Sequence, residues 1–138
     1  MIDPIKYAHF VNAVTSQQSK SHEAFIYRIQ ELEGQGFPSE RLLTAAVGMS
    51  AEAGEFTEIV KKMVFQGKPV NEDNLFHLKR ELGDIMWYVM QACMGLGTDL
   101  NEIIEMNVEK LASRYPDGAF DVHFSENRKA GDLSLIHI

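Results

Sequence analysis

Cysteine occurs once in the 138 residues, at Cys93, so no internal disulfide framework is available and the chain suits a reducing compartment. Cations are scarce beside anions: 13 Lys and Arg face 20 Asp and Glu, a formal net charge of −7. A nucleic-acid-binding surface normally shows as a basic patch, so a nucleic-acid partner is not expected. Long apolar runs are missing too. The most apolar stretch, 85–97, is too short to span a bilayer and is broken by Gln91, which argues against a membrane partner. The first residues, Met1-Ile2-Asp3-Pro4-Ile5-Lys6, carry no apolar signal core. These exclusions predict a cytoplasmic protein. Apolar residues at 45% and charged residues at 24% are ordinary for a globular fold, and the length suits one domain with a modest core.

No segment alternates as a strand would, and the periodicity is helical throughout. Asp3-Pro4 predicts a cap and a first-turn proline for a helix to about Val14. A second helix is expected from about Ser21 to Glu33, ended by Gly34-Gln35-Gly36. Ser39 is expected to cap a third helix over about Glu40 to Phe65. After the breaker Gln66-Gly67-Lys68-Pro69-Val70-Asn71, Asn71 caps a fourth, with Glu72 and Asp73 suiting the helix dipole; it runs to Gly95-Leu96-Gly97. Thr98 or Asp99 caps a fifth, to about Tyr115. The expectation is an all-α bundle of about five helices in a domain over residues 1–118, with 119–138 an irregular tail. Trp87 and Met90 lie off the stripe that faces the third helix, so a second apolar side is left to cover; this predicts a homodimer or homotetramer.

Four carboxylates stand where core residues belong. Glu52 and Glu55 share a helical face with Ala45, Gly48, Met49, Phe56, Ile59 and Met63, and Glu81 and Asp84 share one with Leu78, Ile85, Tyr88, Ala92 and Leu96. A buried carboxylate must protonate, pair or hold a metal, and neither stripe contains a Lys or Arg. The two pairs are also spaced evenly about the 66–71 breaker. Helices folding back across it would bring both pairs to one height, roughly 20 Å from the turn at about 1.5 Å per residue. An all-oxygen ligand set without His or Cys favours Mg²⁺, with Mn²⁺ the second choice. No Glu-x-x-His pair stands on these helices, which disfavours a di-iron bundle.

Glu52-Ala53-Gly54-Glu55 with Glu81-Leu82-Gly83-Asp84, separated by a 25-residue spacer, resembles the signature of the MazG-like all-α nucleoside triphosphate pyrophosphohydrolases. The resemblance runs from Leu42 to Phe120 and includes Phe65-Gln66-Gly67-Lys68, Asp84-Ile85-Met86-Trp87-Tyr88, Asn107-Val108-Glu109-Lys110-Leu111 and Arg114-Tyr115-Pro116. It departs at Ala51, where the pattern has its first Glu. The resemblance implies Mg²⁺-dependent hydrolysis of nucleoside or deoxynucleoside triphosphates to the monophosphate and pyrophosphate. Glu52, Glu55, Glu81 and Asp84 would be the metal ligands, with Glu55 and Glu52 as catalytic carboxylates and Glu55 the choice for water-activating base.

A tetra-acidic site needs cations to admit a triphosphate. Asn107, Lys110 and Arg114 share one face of the fifth helix and are the expected substrate-binding residues, Arg114 offering a bidentate fork. Lys62 is a further candidate, although a cation late in the third helix also suits its dipole. Trp87 could stack a base, but its position is read here as packing. Two alternatives stay open. One is a catalytically silent metal- or nucleotide-binding helical oligomer with a regulatory role, suggested by Ala51. The other is a dUTPase or phosphoribosyl-ATP pyrophosphatase variant of the same fold.

Overall fold

The computed structural model describes residues 1–127. Six α-helices follow in order: α1 Pro4–Ala13, α2 His22–Gly34, α3 Ser39–Phe65, α4 Glu72–Leu96, α5 Leu100–Arg114 and α6 Val122–Glu126. A 3-10 turn, Gln17–Ser19, precedes α2, and no strand occurs among the described residues. Polar side chains start most helices as expected. Asp3 accepts a hydrogen bond from the Ile5 amide, Ser21 from Ala24, Asn71 from Asn74 and Asp99 from Glu102. The breakers stop them: Gly67 and Gly97 sit just past α3 and α4 at φ 70° and 67°, a left-handed backbone that residues with a Cβ seldom adopt.

Two features differ from the sequence expectation. Ser39 does not cap α3. Pro38 holds the cap position without a side-chain hydrogen bond, and Ser39 is the first helical residue. The Ser39 hydroxyl is buried without a hydrogen-bond partner. It borders an apolar cavity of about 440 Å³, lined also by Phe25, Leu32, Phe37 and Leu42. A buried unpaired hydroxyl costs its desolvation, so Ser39→Ala is expected to raise stability by about 1 kcal/mol, measured by urea unfolding. The second difference is α6, a five-residue helix inside the stretch expected to be irregular, started by Asp121 accepting from the His123 amide. The rest of that stretch, 128–138, lies outside the described residues.

The chain divides into two compact units, Met1–Leu96 and a second beginning at Gly97. In the first, α3 and α4 pack along their length and α2 rests on the start of α3. Contacts between Glu52 and Asp84, Gly48 and Tyr88, and Leu42 and Gly95 step away from the 66–71 turn together, as only antiparallel helices do. Close approach depends on small residues. The Tyr88 ring lies directly on the Gly48 backbone, where a Cβ would overlap it. The turn itself is fixed by the buried Asn74, whose side-chain amide donates to the Pro69 carbonyl at 2.7 Å.

The core is thin. Ala45 and Cys93 are the fully buried apolar residues among those described, while Ile5, Tyr7 and Phe10 on α1 and Trp87 and Met94 on α4 stay exposed. No helix among the described residues is long and apolar enough to cross a membrane.

Candidate metal centre

α3 carries Glu52 and Glu55, and α4 carries Glu81 and Asp84. The antiparallel packing brings three of the four together: one carboxylate oxygen each from Glu52, Glu81 and Asp84 lie within 4.8 Å of one another. Glu52 and Glu81 are half-buried and Asp84 is exposed, so the group opens to solvent on one side. Acidic clusters at a surface are common without an ion, but one atom here is not at the surface. With the neighbouring carboxylates ionised, Oε2 of Glu81 is buried and has no hydrogen-bond partner. A carboxylate oxygen can only accept, and leaving one dry and unpaired is costly.

The Glu52 carboxyl is held above its ordinary value of 4.5. A hydrogen bond to the Glu81 carboxylate, available only when Glu52 is protonated, contributes most; desolvation follows, then the negative charges of Glu81, Asp84 and Glu55. Every influence on Glu52 favours the neutral acid, and none comes from a cation. A divalent cation would outweigh them by giving the Glu81 oxygen a partner and neutralising the crowded charge. The donor set fits such an ion: oxygen only, carboxylate only, from two rigid helices.

Glu55 is exposed and lies outside the three-oxygen group, although its charge is felt at Glu52. Ala51, at the position of the missing Glu, is exposed on α3 and the group assembles without it. Lys62 is half-exposed near the end of α3, with its ammonium 3.5 Å from Glu58, which also pairs with Lys61 at 3.3 Å. Those lysines, Lys61 foremost, hold the Glu58 carboxyl below the usual range. Asn107, Lys110 and Arg114 all lie on α5, in the second unit. Asn107 and Lys110 are exposed there, and Arg114 is half-buried with its guanidinium 5.9 Å from the centre of the Tyr115 ring.

The sequence reading missed two residues beside the carboxylates. Gly48 seats Tyr88, and its signal was available as a glycine on the apolar stripe of a helix interior. Trp87, read as packing, is 57% exposed and stands with Glu52, Asp84 and Tyr88 around a cavity of about 340 Å³.

Residues 41–119, more than half of the chain, match the MazG nucleotide pyrophosphohydrolase domain. The "Gene 37 protein" of Mycobacterium phage L5 is 38% identical over 80 residues, 57% of this chain and 70% of the phage protein. No solved structure matches the chain. The chain therefore belongs to the MazG nucleotide pyrophosphohydrolase family, all-α hydrolases acting on nucleotide pyrophosphate bonds.

Proposed function

We propose that the protein hydrolyses nucleoside or deoxynucleoside triphosphates to the monophosphate and pyrophosphate, with Mg²⁺ as the favoured ion and Mn²⁺ as a substitute. The observation that carries this reading is the trio Glu52, Glu81 and Asp84 within 4.8 Å, with a buried, unpartnered oxygen on Glu81, inside a MazG domain. Those three residues would hold the ion. When bound, it supplies Lewis acidity and charge neutralisation to the triphosphate. Glu55, exposed beside the trio, is left to orient the attacking water and accept its proton. Water oxygen bonds to phosphorus as the bridging P–O bond between the α and β phosphates breaks. The proton goes to Glu55 and pyrophosphate leaves.

Asn107, Lys110, Arg114 and Lys62 are assigned to the triphosphate. The support is the match over 41–119 for the first three, and for Lys62 a flexible ammonium that pairs with Glu58 across an exposed helix turn. The thin core and the exposed apolar side chains of α1, with Met94 of α4, favour a second copy of the chain as their cover, in a cytoplasmic homodimer or homotetramer.

The test is incubation of purified protein with Mg²⁺ and each of the eight common nucleoside triphosphates, with dUTP and phosphoribosyl-ATP added to the panel. Pyrophosphate and the monophosphate are expected. Orthophosphate as the product, or no turnover of any substrate, would overturn the reading. Turnover confined to dUTP or to phosphoribosyl-ATP would select that variant of the same chemistry. The silent-binder reading draws on Ala51 and the acidic net charge of −7, and nucleotide binding without pyrophosphate release would select it.

A further inference from the structure

The cavity beside the metal trio has two chemically different ends. Glu52 and Asp84 line one end, and the rings of Trp87 and Tyr88 line the other. Its volume of about 340 Å³ falls within the span of small-molecule sites, about 300–1,000 Å³. Trp87 follows Asp84 by three residues on α4, so its ring stands one helical turn along the same side. Trp87 is exposed over more than half of its surface in the single chain, so no packing within the chain hides it. The Tyr88 ring lies on the Gly48 backbone with no room to turn inward, and the indole meets Tyr88 edge-on, at 5.0 Å between centroids and 86° between planes.

We infer that Trp87 is the stacking platform for the nucleoside part of the substrate, with Tyr88 and Gly48 as its positioning residues. This rests on the proposed nucleotide chemistry and extends it. The ligand that suits one acidic, ion-holding end and one flat aromatic end is a molecule with phosphates at one end and a planar ring at the other. Neither carboxylate can recognise a phosphate directly, so among the residues lining this cavity the rings are the surfaces that can hold a ligand without a bound ion. Stacking of a base on an aromatic side chain tolerates any base, because each presents a π-face.

Trp87 is the sole tryptophan of the chain, so its fluorescence reports this contact alone. Titration of the intact protein with dAMP is expected to quench that fluorescence saturably, while inorganic pyrophosphate at equal concentration leaves it unchanged. In steady-state assays, Trp87→Ala is expected to raise KM for the best triphosphate about tenfold with kcat changed less than threefold. Trp87→Phe, which keeps a smaller ring, should fall between it and the parent.

Absence of quenching by dAMP, or equal quenching by pyrophosphate, would overturn the assignment. So would an unchanged KM in Trp87→Ala, or a change of sedimentation state in both variants, which would place the indole at a subunit contact. The fluorescence arm is independent of turnover. A protein that releases no pyrophosphate yet shows the dAMP response would retain the nucleoside site and lose the hydrolase reading, and the reverse result would do the opposite.

Discussion

Glu81→Gln is expected to lower pyrophosphate release by at least about a hundredfold at saturating Mg²⁺ and substrate. Loss of a group that merely orients a metal ligand typically costs about 10–100-fold, and Glu81 is proposed as a ligand itself. Its Oε2 is the buried, unpartnered atom of the site, and an amide in its place brings a donor that no cation accepts. Stability should move the other way. In metal-free protein, at a pH above the Glu52 titration, the substitution removes one of three negative charges gathered within 4.8 Å. The metal-free variant should therefore melt at or above the parent's temperature, with unchanged helical circular dichroism. Asp84→Asn should behave alike, with a smaller gain because Asp84 is exposed. Opposite movement of activity and stability separates a functional carboxylate from a structural one. Retained turnover in both variants would remove the trio from the chemistry, and a drop in both quantities would make Glu81 part of the scaffold.

The sequence spoke most clearly where a backbone rule applied. Helix starts at Asp3, Ser21, Asn71 and Asp99 were legible because a short polar side chain before a periodic run has one structural use there. Convergence of the carboxylates was legible from their even spacing about 66–71, because rise per residue sets height on each helix. Which oxygens meet was not legible. A Glu carboxyl ends three rotatable bonds, so spacing places the Cα and leaves the oxygen free, and Glu55 ends outside the group that Glu52 joins. Ser39 failed as a cap because Pro38 took the cap position and drew Ser39 into the first turn, where its hydroxyl faces an apolar cavity. Trp87, expected to pack in the core or at a subunit contact, lines a space that periodicity does not show. Periodicity says which side of α4 a residue occupies, while the space beside Asp84 exists only once Tyr88 has settled on Gly48.

Stability in the absence of metal should fall as pH rises above about 4.5, in a way that Mg²⁺ suppresses. The folded-state Glu52 carboxyl titrates above its ordinary 4.5, first through the hydrogen bond that protonated Glu52 makes to Glu81, then through desolvation and neighbouring negative charge. The folded protein therefore binds this proton more tightly than the unfolded chain does. Glu52's stabilising contribution is complete below about 4.5 and is lost as pH rises through the folded value. Other carboxylates of this acidic chain also titrate in that range, so the diagnostic quantity is the difference between the parent and Glu52→Gln. Without metal the variant should lack the decline and exceed the parent in stability at neutral pH. With Mg²⁺ the order should invert. A ligand that binds only the folded state adds about 2.7 kcal/mol at a hundredfold excess over its Kd, and the parent should gain this while the variant gains far less. The measurement is thermal melting from pH 4 to 8 with and without Mg²⁺. Parent and variant curves that run parallel across that range, or that rise equally on adding Mg²⁺, would take Glu52 out of the metal centre.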